Sequence, residues 1–429
     1  DINPGSNPAY TKYAVKFIYS GLTKYAQTNL TLGDAEVYQT TATWNLPVIK
    51  YLSENMQYTI SVSALNENSV TTIYGASVSS YTLLNPPGNA DVVISTEPGV
   101  GKLLLTVTQP PNFNVGVTGC EFDNITDGGG GTDTGKLTNV YIFTDDGLQN
   151  NTVYGYKARY FNGDSKPTAY NTVEITKYTI CSNPTGFVIT PSTGSLYLQV
   201  DSFPNDKLDS SAYYFDFISG GTGADDSGYI NYSTYTDTGL QINSSYTYTV
   251  KYRNGSGLET STSTLTVFTL ANKPGQPTIT SISSSTIQIE IATNENPLAT
   301  EYSIKSLVGG NTYYVQNGST LAVSPVVYKT TTSWSASAIQ DLTPNASYYI
   351  SVDARNGDGI STGYSVTVNT YTYAEIPGNP TLTDVTTGSI KVLIIPRSNS
   401  SETTYAIKCL AEGNTYYVQA TGLLDNSTT

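Results

Sequence analysis

The sequence predicts an all-β chain, a tandem array of antiparallel β-sandwiches of about seven strands each, with the first and last modules incomplete. Three observations lead there. A Leu followed six residues later by a Tyr occurs four times, as Leu52 and Tyr58, Leu148 and Tyr154, Leu240 and Tyr246, and Leu342 and Tyr348. Successive tyrosines of this set stand 96, 92 and 102 residues apart, the length of a small sandwich domain. No stretch keeps a 3.6-residue apolar period for three turns, whereas period-two alternation recurs.

The elements of each copy follow in order. After the Tyr comes an alternating strand, with Ile60, Val62 and Ala64 on one face in the first copy. In the third copy Tyr248, Val250 and Tyr252 share a face and Thr247, Thr249 and Lys251 point away. The strand closes at Asn66, Asn162, Asn254 or Asn356, and the last three precede Gly, which is turn chemistry that tolerates positive φ. A final strand then carries a second fixed spacing of aromatic, Thr, and Pro six residues after the aromatic. It reads Tyr81, Thr82 and Pro87; Tyr178, Thr179 and Pro184; Phe268, Thr269 and Pro274; Tyr371, Thr372 and Pro377. Proline cannot donate to a ladder, so it ends the strand and marks the border. The modules expected are 1–85, 86–182, 183–272, 273–375 and 376–429, the first without its opening strands and the last with only those.

Longer matches support the incomplete ends. Tyr13, Val15, Lys16 and 38–44 correspond to Tyr302, Ile304, Lys305 and 328–334, which puts both tryptophans at one equivalent position. Residues 405–408 and 414–419 repeat 302–305 and 311–316 at an offset of 103. A sandwich without its first two strands leaves an inner face in water, losing several kcal/mol at about 25 cal/mol per Å² of apolar area. The expectation is therefore an excerpt of a longer repetitive polypeptide, or open ends completed by strands of a neighbouring molecule.

Composition narrows function. The 429 residues include 45 Ser and 64 Thr, only 13% are charged, and there is no His, which removes every mechanism that needs an imidazole. A net charge of −14 is the wrong sign for neutralising phosphates, so nucleic acid is not an expected partner. No apolar run reaches the length of a membrane span. The first residues lack the basic start and apolar middle of a signal peptide, so secretion is not readable from them. Cys120, Cys181 and Cys409 have no CxxC spacing and read as free thiols, with a Cys120–Cys181 bridge or an intermolecular bond through Cys409 as alternatives. Ten Asn-x-Ser/Thr sequons, among them Asn124, Asn243, Asn345 and Asn399, are close to what chance gives in this composition.

The run Leu342-Thr343-Pro344-Asn345-Ala346-Ser347-Tyr348, followed by Ile350, Val352, Ala354 and Asn356-Gly357, resembles the fibronectin type III module, an immunoglobulin-like sandwich. The resemblance covers nearly the whole chain. It implies that Tyr58, Tyr154, Tyr246 and Tyr348, with Leu52, Leu148, Leu240 and Leu342, form structural tyrosine corners whose hydroxyls bond nearby backbone and staple the two sheets. The chain departs from the family in lacking a Trp on the second strands, at Leu103–Val107, 196–200, 287–291 and 390–395, and in Gly-rich loops such as 127–135.

No catalytic residue and no cofactor is expected, and the chain does not read as an enzyme. Asp123, Asp127 and Asp133 around the glycines 128–131 offer oxygens for calcium, but the spacing fits no EF-hand and a solvated loop is expected; Asp225-Asp226 reads the same way. No Gly-Lys-Ser/Thr follows the glycine run, against a phosphate loop. Asn356-Gly357-Asp358-Gly359 reads as a plain turn. Among the 36 tyrosines, the pairs Tyr213-Tyr214, Tyr313-Tyr314, Tyr348-Tyr349 and Tyr416-Tyr417 should send one ring inward and one outward. Outward rings suit either lateral packing between modules or cross-strand pairing within one.

The function expected is a structural extracellular or surface protein, a semi-rigid rod that self-assembles into or decorates a fibre, sheath, surface layer or virion exterior, with further copies of itself as partner. Linkers of about six residues are too short for a flexible coil. Two other readings stand beside it: an adhesin that takes a glycan or receptor on its loops and exposed Tyr, and spacer modules of a secreted enzyme.

Overall fold

Alternating hydroxyl and apolar residues leave this chain little but strands to form, and strands are what it forms. The computed structural model describes residues 1–44, 48–113, 116–126, 131–206, 210–335 and 338–426. Among them are antiparallel sheets and only single turns of helix. The chain is an all-β array of sandwich units.

The second unit pairs two sheets. Val92–Thr96, Leu103–Val107 and Ile142–Asp145 make one; Leu137–Thr138, Gly119–Asn124, Val153–Phe161 and Ile175–Tyr178 make the other. Leu103, Leu105, Phe122, Tyr154, Tyr156 and Ala158 fill the space between them without exposure. The third unit repeats this plan, with Val188–Pro191, Ser195–Gln199 and Thr234–Thr238 facing Ala212–Gly220, Tyr229–Ile230, Ser245–Arg253 and Ser263–Phe268. Its core is aromatic: Tyr213, Phe215, Tyr246 and Tyr248 are fully buried around Leu196 and Leu198. Tyr252 and Val250 point inward as the alternation requires, and Thr249 on the opposite face is also covered.

The fourth unit follows another plan. The hairpin of Thr278–Ile282 and Ile287–Glu290 faces a six-stranded sheet built on Glu301–Val308 and Ser347–Arg355, and a helical turn, Thr331–Trp334, stands before the point where a third strand pairs in the second and third units. Only one bridge, Ile287 to Ile339, remains of that strand among the described residues. Trp334 is buried and its indole N–H donates to Tyr302 O at 2.7 Å. The first unit has the same six-stranded sheet, on Lys12–Tyr19 and Gln57–Leu65, and the same turn, Thr41–Trp44, with Trp44 donating to Tyr13 O at 2.6 Å. Its Ile60, Val62 and Ala64 share a face, half-buried, and among the described residues no second sheet lies over it.

Beyond the fourth unit, Gly378–Thr383 pairs with Lys391–Ile395, and Lys408–Ala411, Asn414–Val418 and Leu424–Asp425 form a separate small sheet. At the 103-residue offset Ile390 corresponds to Ile287, yet it is 54% exposed where Ile287 is 0%. Among the described residues no sheet faces its hairpin as one faces that of Ile287.

Cys120 and Cys181 are free and lie in the cores of two different units, which overturns a bridge between them. Cys120 donates its S–H to Val140 O at 3.1 Å, and burial raises both thiols to about 12. Cys409 is free and half-buried.

Candidate functional site

The residues between each Leu and its Tyr form a loop clamped by two hydroxyls. The corner phenol accepts the backbone N–H five residues before it: Ser53 to Tyr58 and Gln149 to Tyr154 at 3.0 Å, Gln241 to Tyr246 and Thr343 to Tyr348 at 2.8 Å. From the last strand, Thr82, Thr179, Thr269 and Thr372 each donate 2.6 Å bonds to the carbonyl of that same residue. Their oxygens also accept the N–H of Met56, Thr152, Ser244 and Ala346. Leu148, Leu240 and Leu342 are buried beneath, and Leu52 is half-buried.

The clamp fixes an asparagine at the centre of the loop. Asn55, Asn151, Asn243 and Asn345 all have φ between 45° and 51°, a left-handed conformation that Asn adopts more readily than most residues. Each carboxamide leaves its own unit and bonds the next. Its Nδ2 donates to a hydroxyl of the following unit: Thr118 at 2.9 Å, and Ser211 and Thr300 at 2.8 Å, each just before a central strand, and Thr403 at 2.8 Å. Its Oδ1 accepts the N–H of Gly163, Gly255 or Gly357, at 2.8, 3.0 and 2.8 Å.

The following unit bonds back through its closing turn. Asn162 donates to Tyr81 O and Thr82 O, Asn254 to Thr179 O, and Asn356 to Phe268 O and Thr269 O. Asp164 accepts Tyr81 N–H and the Ser80 hydroxyl at 2.8 Å, and Asp358 accepts Phe268 N–H at 2.7 Å. Those donors, the Tyr81 amide foremost, hold the Asp164 carboxyl below its ordinary pKa, so this contribution to the first joint is present near neutrality and lost as acid protonates it. At about 1 kcal/mol net per bond, the set is enough to hold two units in one orientation on a short linker.

The turn glycines correct an expectation. Neither Asn162, Asn254 and Asn356 nor the glycines after them adopt positive φ; Ser165, Gly257 and Gly359, three residues after each Asn, do so instead. Gly163, Gly255 and Gly357 are there because a ring of the preceding unit lies on them. A Cβ would sit 2.6 Å from the Tyr81 ring, 2.5 Å from Tyr178 and 2.3 Å from Phe268. The Asn-Gly pairs are thus one half of a joint, and the aromatic of the aromatic-Thr-Pro spacing is the other.

Sequence reasoning singled out the corner tyrosines but passed over the asparagines halfway to them, although Leu-x-x-Asn-x-x-Tyr stands in all four copies. It also missed three buried carboxylates. Asp145 accepts the Tyr156 hydroxyl at 2.5 Å and Thr132 N–H at 2.8 Å; Asp237 accepts the Tyr248 hydroxyl, and Asp225 N–H at 3.0 Å. Asp353 takes the same kind of part in the fourth unit, facing Tyr328, Ser361 and Thr362.

Of the acidic loop, Asp127 and 128–130 lie outside the described residues. Burial and the neighbouring Asp133 raise the Asp123 carboxyl, and Asp133 itself accepts Asn124 N–H. Asp226 accepts Phe217 N–H and the Tyr214 hydroxyl, so it braces its own turn. The carboxamides of sequons Asn243 and Asn345 are engaged in joints, and that of Asn399 donates to Glu375 O. A glycan on Asn243 or Asn345 is incompatible with its closed joint.

Some outward tyrosines find partners inside their own unit, whereas Tyr51, Tyr232, Tyr371 and Tyr373 stay exposed. Tyr214 packs on Tyr229 with Lys251 over it, Arg253 lies 3.7 Å from the Tyr229 ring, and Lys16 and Lys305 sit 3.9 Å over Tyr74 and Tyr364. Tyr213 and Tyr348 point inward beside outward Tyr214 and Tyr349, whereas Tyr313-Tyr314 and Tyr416-Tyr417 are half-buried at both positions.

Burial raises many of these phenols above their ordinary 10.0, to about 12 for Tyr141 and Tyr252 and further for Tyr156 and Tyr248, where the bonded Asp145 and Asp237 add to it. A raised folded value means stability present below pH 10 and lost as pH climbs through the folded values. Alkaline titration should show Tyr141, Tyr156, Tyr248 and Tyr252 ionising only as the β signal in circular dichroism disappears. A single tyrosinate step near 10 with an unchanged spectrum would contradict this burial pattern.

No protein-family model matches the chain, and no curated protein matches it in sequence. Among solved structures it is similar to the FN1-FN3 domains of chicken CNTN1, with 15% identity over 68% of this chain and 99% of that one and a TM-score of 0.25. It is also similar to a two fibronectin type-III domain segment from chicken tenascin, with 14% identity over 44% of this chain and 100% of that one and a TM-score of 0.32. These likenesses concern fold, whose all-β sandwich character is established by the sheets described above.

Proposed function

We propose that the chain is a semi-rigid string of fibronectin type III-like modules, divided at 85/86, 182/183, 272/273 and 375/376, in a structural protein of an extracellular or surface assembly. One observation carries the reading: the same asparagine, glycine and aromatic ring recur at three successive boundaries, with linkers too short to swing. A chain of loosely tethered domains has no use for a repeated, buried, directional joint. Nine-residue strands at roughly 3.3 Å per residue give each module a length near 30 Å. Few charges and abundant hydroxyls favour lateral association with further copies.

The test is direct. The purified chain, followed by sedimentation over a concentration series and by electron microscopy, should form filaments or lateral arrays and retain no member of a glycan array. A chain that stays monomeric at every concentration and binds a defined glycan would replace this reading with an adhesin.

A further inference from the structure

The chain contains four Asn-Gly pairs: Asn162-Gly163, Asn254-Gly255, Asn356-Gly357 and Asn317-Gly318. Asn-Gly is the dipeptide most prone to spontaneous succinimide formation, because nothing on glycine hinders attack of its nitrogen on the asparagine side chain. Three of the four pairs lie in joints, where both reacting groups are engaged. The glycine N–H donates to Asn55, Asn151 or Asn243 of the preceding unit. The asparagine Nδ2 donates to carbonyls of that unit's last strand. Oδ1 is held within the turn itself, by Lys166, Leu258 and Ile360 N–H at 2.8 Å. Asn66 shows which bonds belong to the turn alone: its Oδ1 accepts Asn68 and Val70 N–H in the same way, and the residue after it is Glu67.

We propose that Asn162, Asn254 and Asn356 are conditional modification sites, which the closed joint protects from succinimide formation and the open joint exposes, making joint opening irreversible. This rests on the semi-rigid reading only in that the joints must close. When the joint opens, the glycine nitrogen loses its proton to solvent and attacks Cγ. The new C–N bond closes the ring, and the former side-chain nitrogen leaves as ammonia. Water then opens the succinimide to aspartate or isoaspartate. The product has lost the Nδ2 donor and presents a carboxylate to the carbonyls of Tyr81 and Thr82, Thr179, or Phe268 and Thr269, so the joint does not re-form. Such a chain keeps a record of every joint that has been forced apart.

The experiment compares the full chain with Asn55→Gly and Asn243→Gly, glycine being chosen because both positions have positive φ. Each is incubated at mildly alkaline pH, and the mass gain of each Asn-Gly peptide is followed by mass spectrometry. In the parent chain Asn317, in an exposed turn, should convert fastest and the three joint sites slowly. Asn55→Gly removes bonds to Asn112 O, the Thr118 hydroxyl and Gly163 N–H, and should accelerate Asn162 about tenfold or more while leaving Asn254 and Asn356 unchanged. Asn243→Gly should accelerate Asn356 alone. Equal rates at joint sites and Asn317 in the parent would overturn the proposal. So would an unchanged Asn162 in the first variant, or all sites rising together in either. Failure of the semi-rigid reading would show differently, as a broad conformational ensemble of the unaltered chain in small-angle X-ray scattering, whereas failure of the protection alone leaves that ensemble narrow while the four rates are equal.

Discussion

Replacing Gly357 by Ala is expected to open the joint between the third and fourth units while leaving both folded. The added Cβ would lie 2.3 Å from Phe268 Cε1 and 2.5 Å from Cδ1 and Cζ, closer than a Cβ is ever found. The ring has little room to yield, because Phe268 N–H is bound by Asp358 and its carbonyl by Asn356, both from the unit that would have to move. Overpacking of this kind costs about 1–3 kcal/mol in a core. Here the cost falls on an interface held by a handful of bonds worth about 1 kcal/mol each, so separation relieves it more cheaply than deformation. Small-angle X-ray scattering should report a longer tail of conformations for Gly357→Ala than for the parent, with melting transitions unshifted. Gly318→Ala, where a Cβ meets nothing within 4 Å, is the control and should change neither. An unaltered scattering profile in Gly357→Ala would remove the ring-on-glycine contact from the account.

How much of this was legible in the sequence depends on the reach of each interaction. The tyrosine corners were, because Leu342 and Tyr348 lie six residues apart and the bond they frame spans five. The joints were not, because Asn55, Asn151 and Asn243 bond glycines 108, 104 and 114 residues away, and no local pattern says where a carboxamide points. Asn-Gly was read as turn chemistry for the same reason. The glycine answers to a ring in another unit, and the positive φ belongs to a residue further on. Helical turns at Trp44 and Trp334 escaped because four residues are too few to establish a period.

Asp237→Ala is expected to be the most damaging single change to a unit's stability. The carboxylate is 3% exposed inside the third unit and accepts from the Tyr248 hydroxyl, itself fully buried, and from Asp225 N–H. A charge at such a site is tolerated only while its donors satisfy it. Alanine leaves the phenol without its acceptor, orphans the Asp225 amide and opens a small cavity. At about 1–3 kcal/mol for each unsatisfied donor, the total is about 3–5 kcal/mol, a large part of a domain's roughly 5–15 kcal/mol. Calorimetry should show one transition of the array lowered by about 12–40 °C and the others in place. Asp145→Ala should do the same to the second unit, where Tyr156 and Thr132 make the matching bonds. Adding Tyr248→Phe to Asp237→Ala should restore part of the loss by removing the stranded hydroxyl. A double variant less stable than the single one would mean that the phenol finds another acceptor.

The claim beneath all of this is that consecutive units are locked by their joints. Pulsed electron paramagnetic resonance between spin labels on exposed Lys102 in the second unit and exposed Glu290 in the fourth measures it across two joints at once. The joints predict a single narrow distance distribution, unmoved by salt because most of the bonds join neutral groups, and broadened by Asn151→Gly or Gly357→Ala. A broad distribution in the unaltered chain would contradict it.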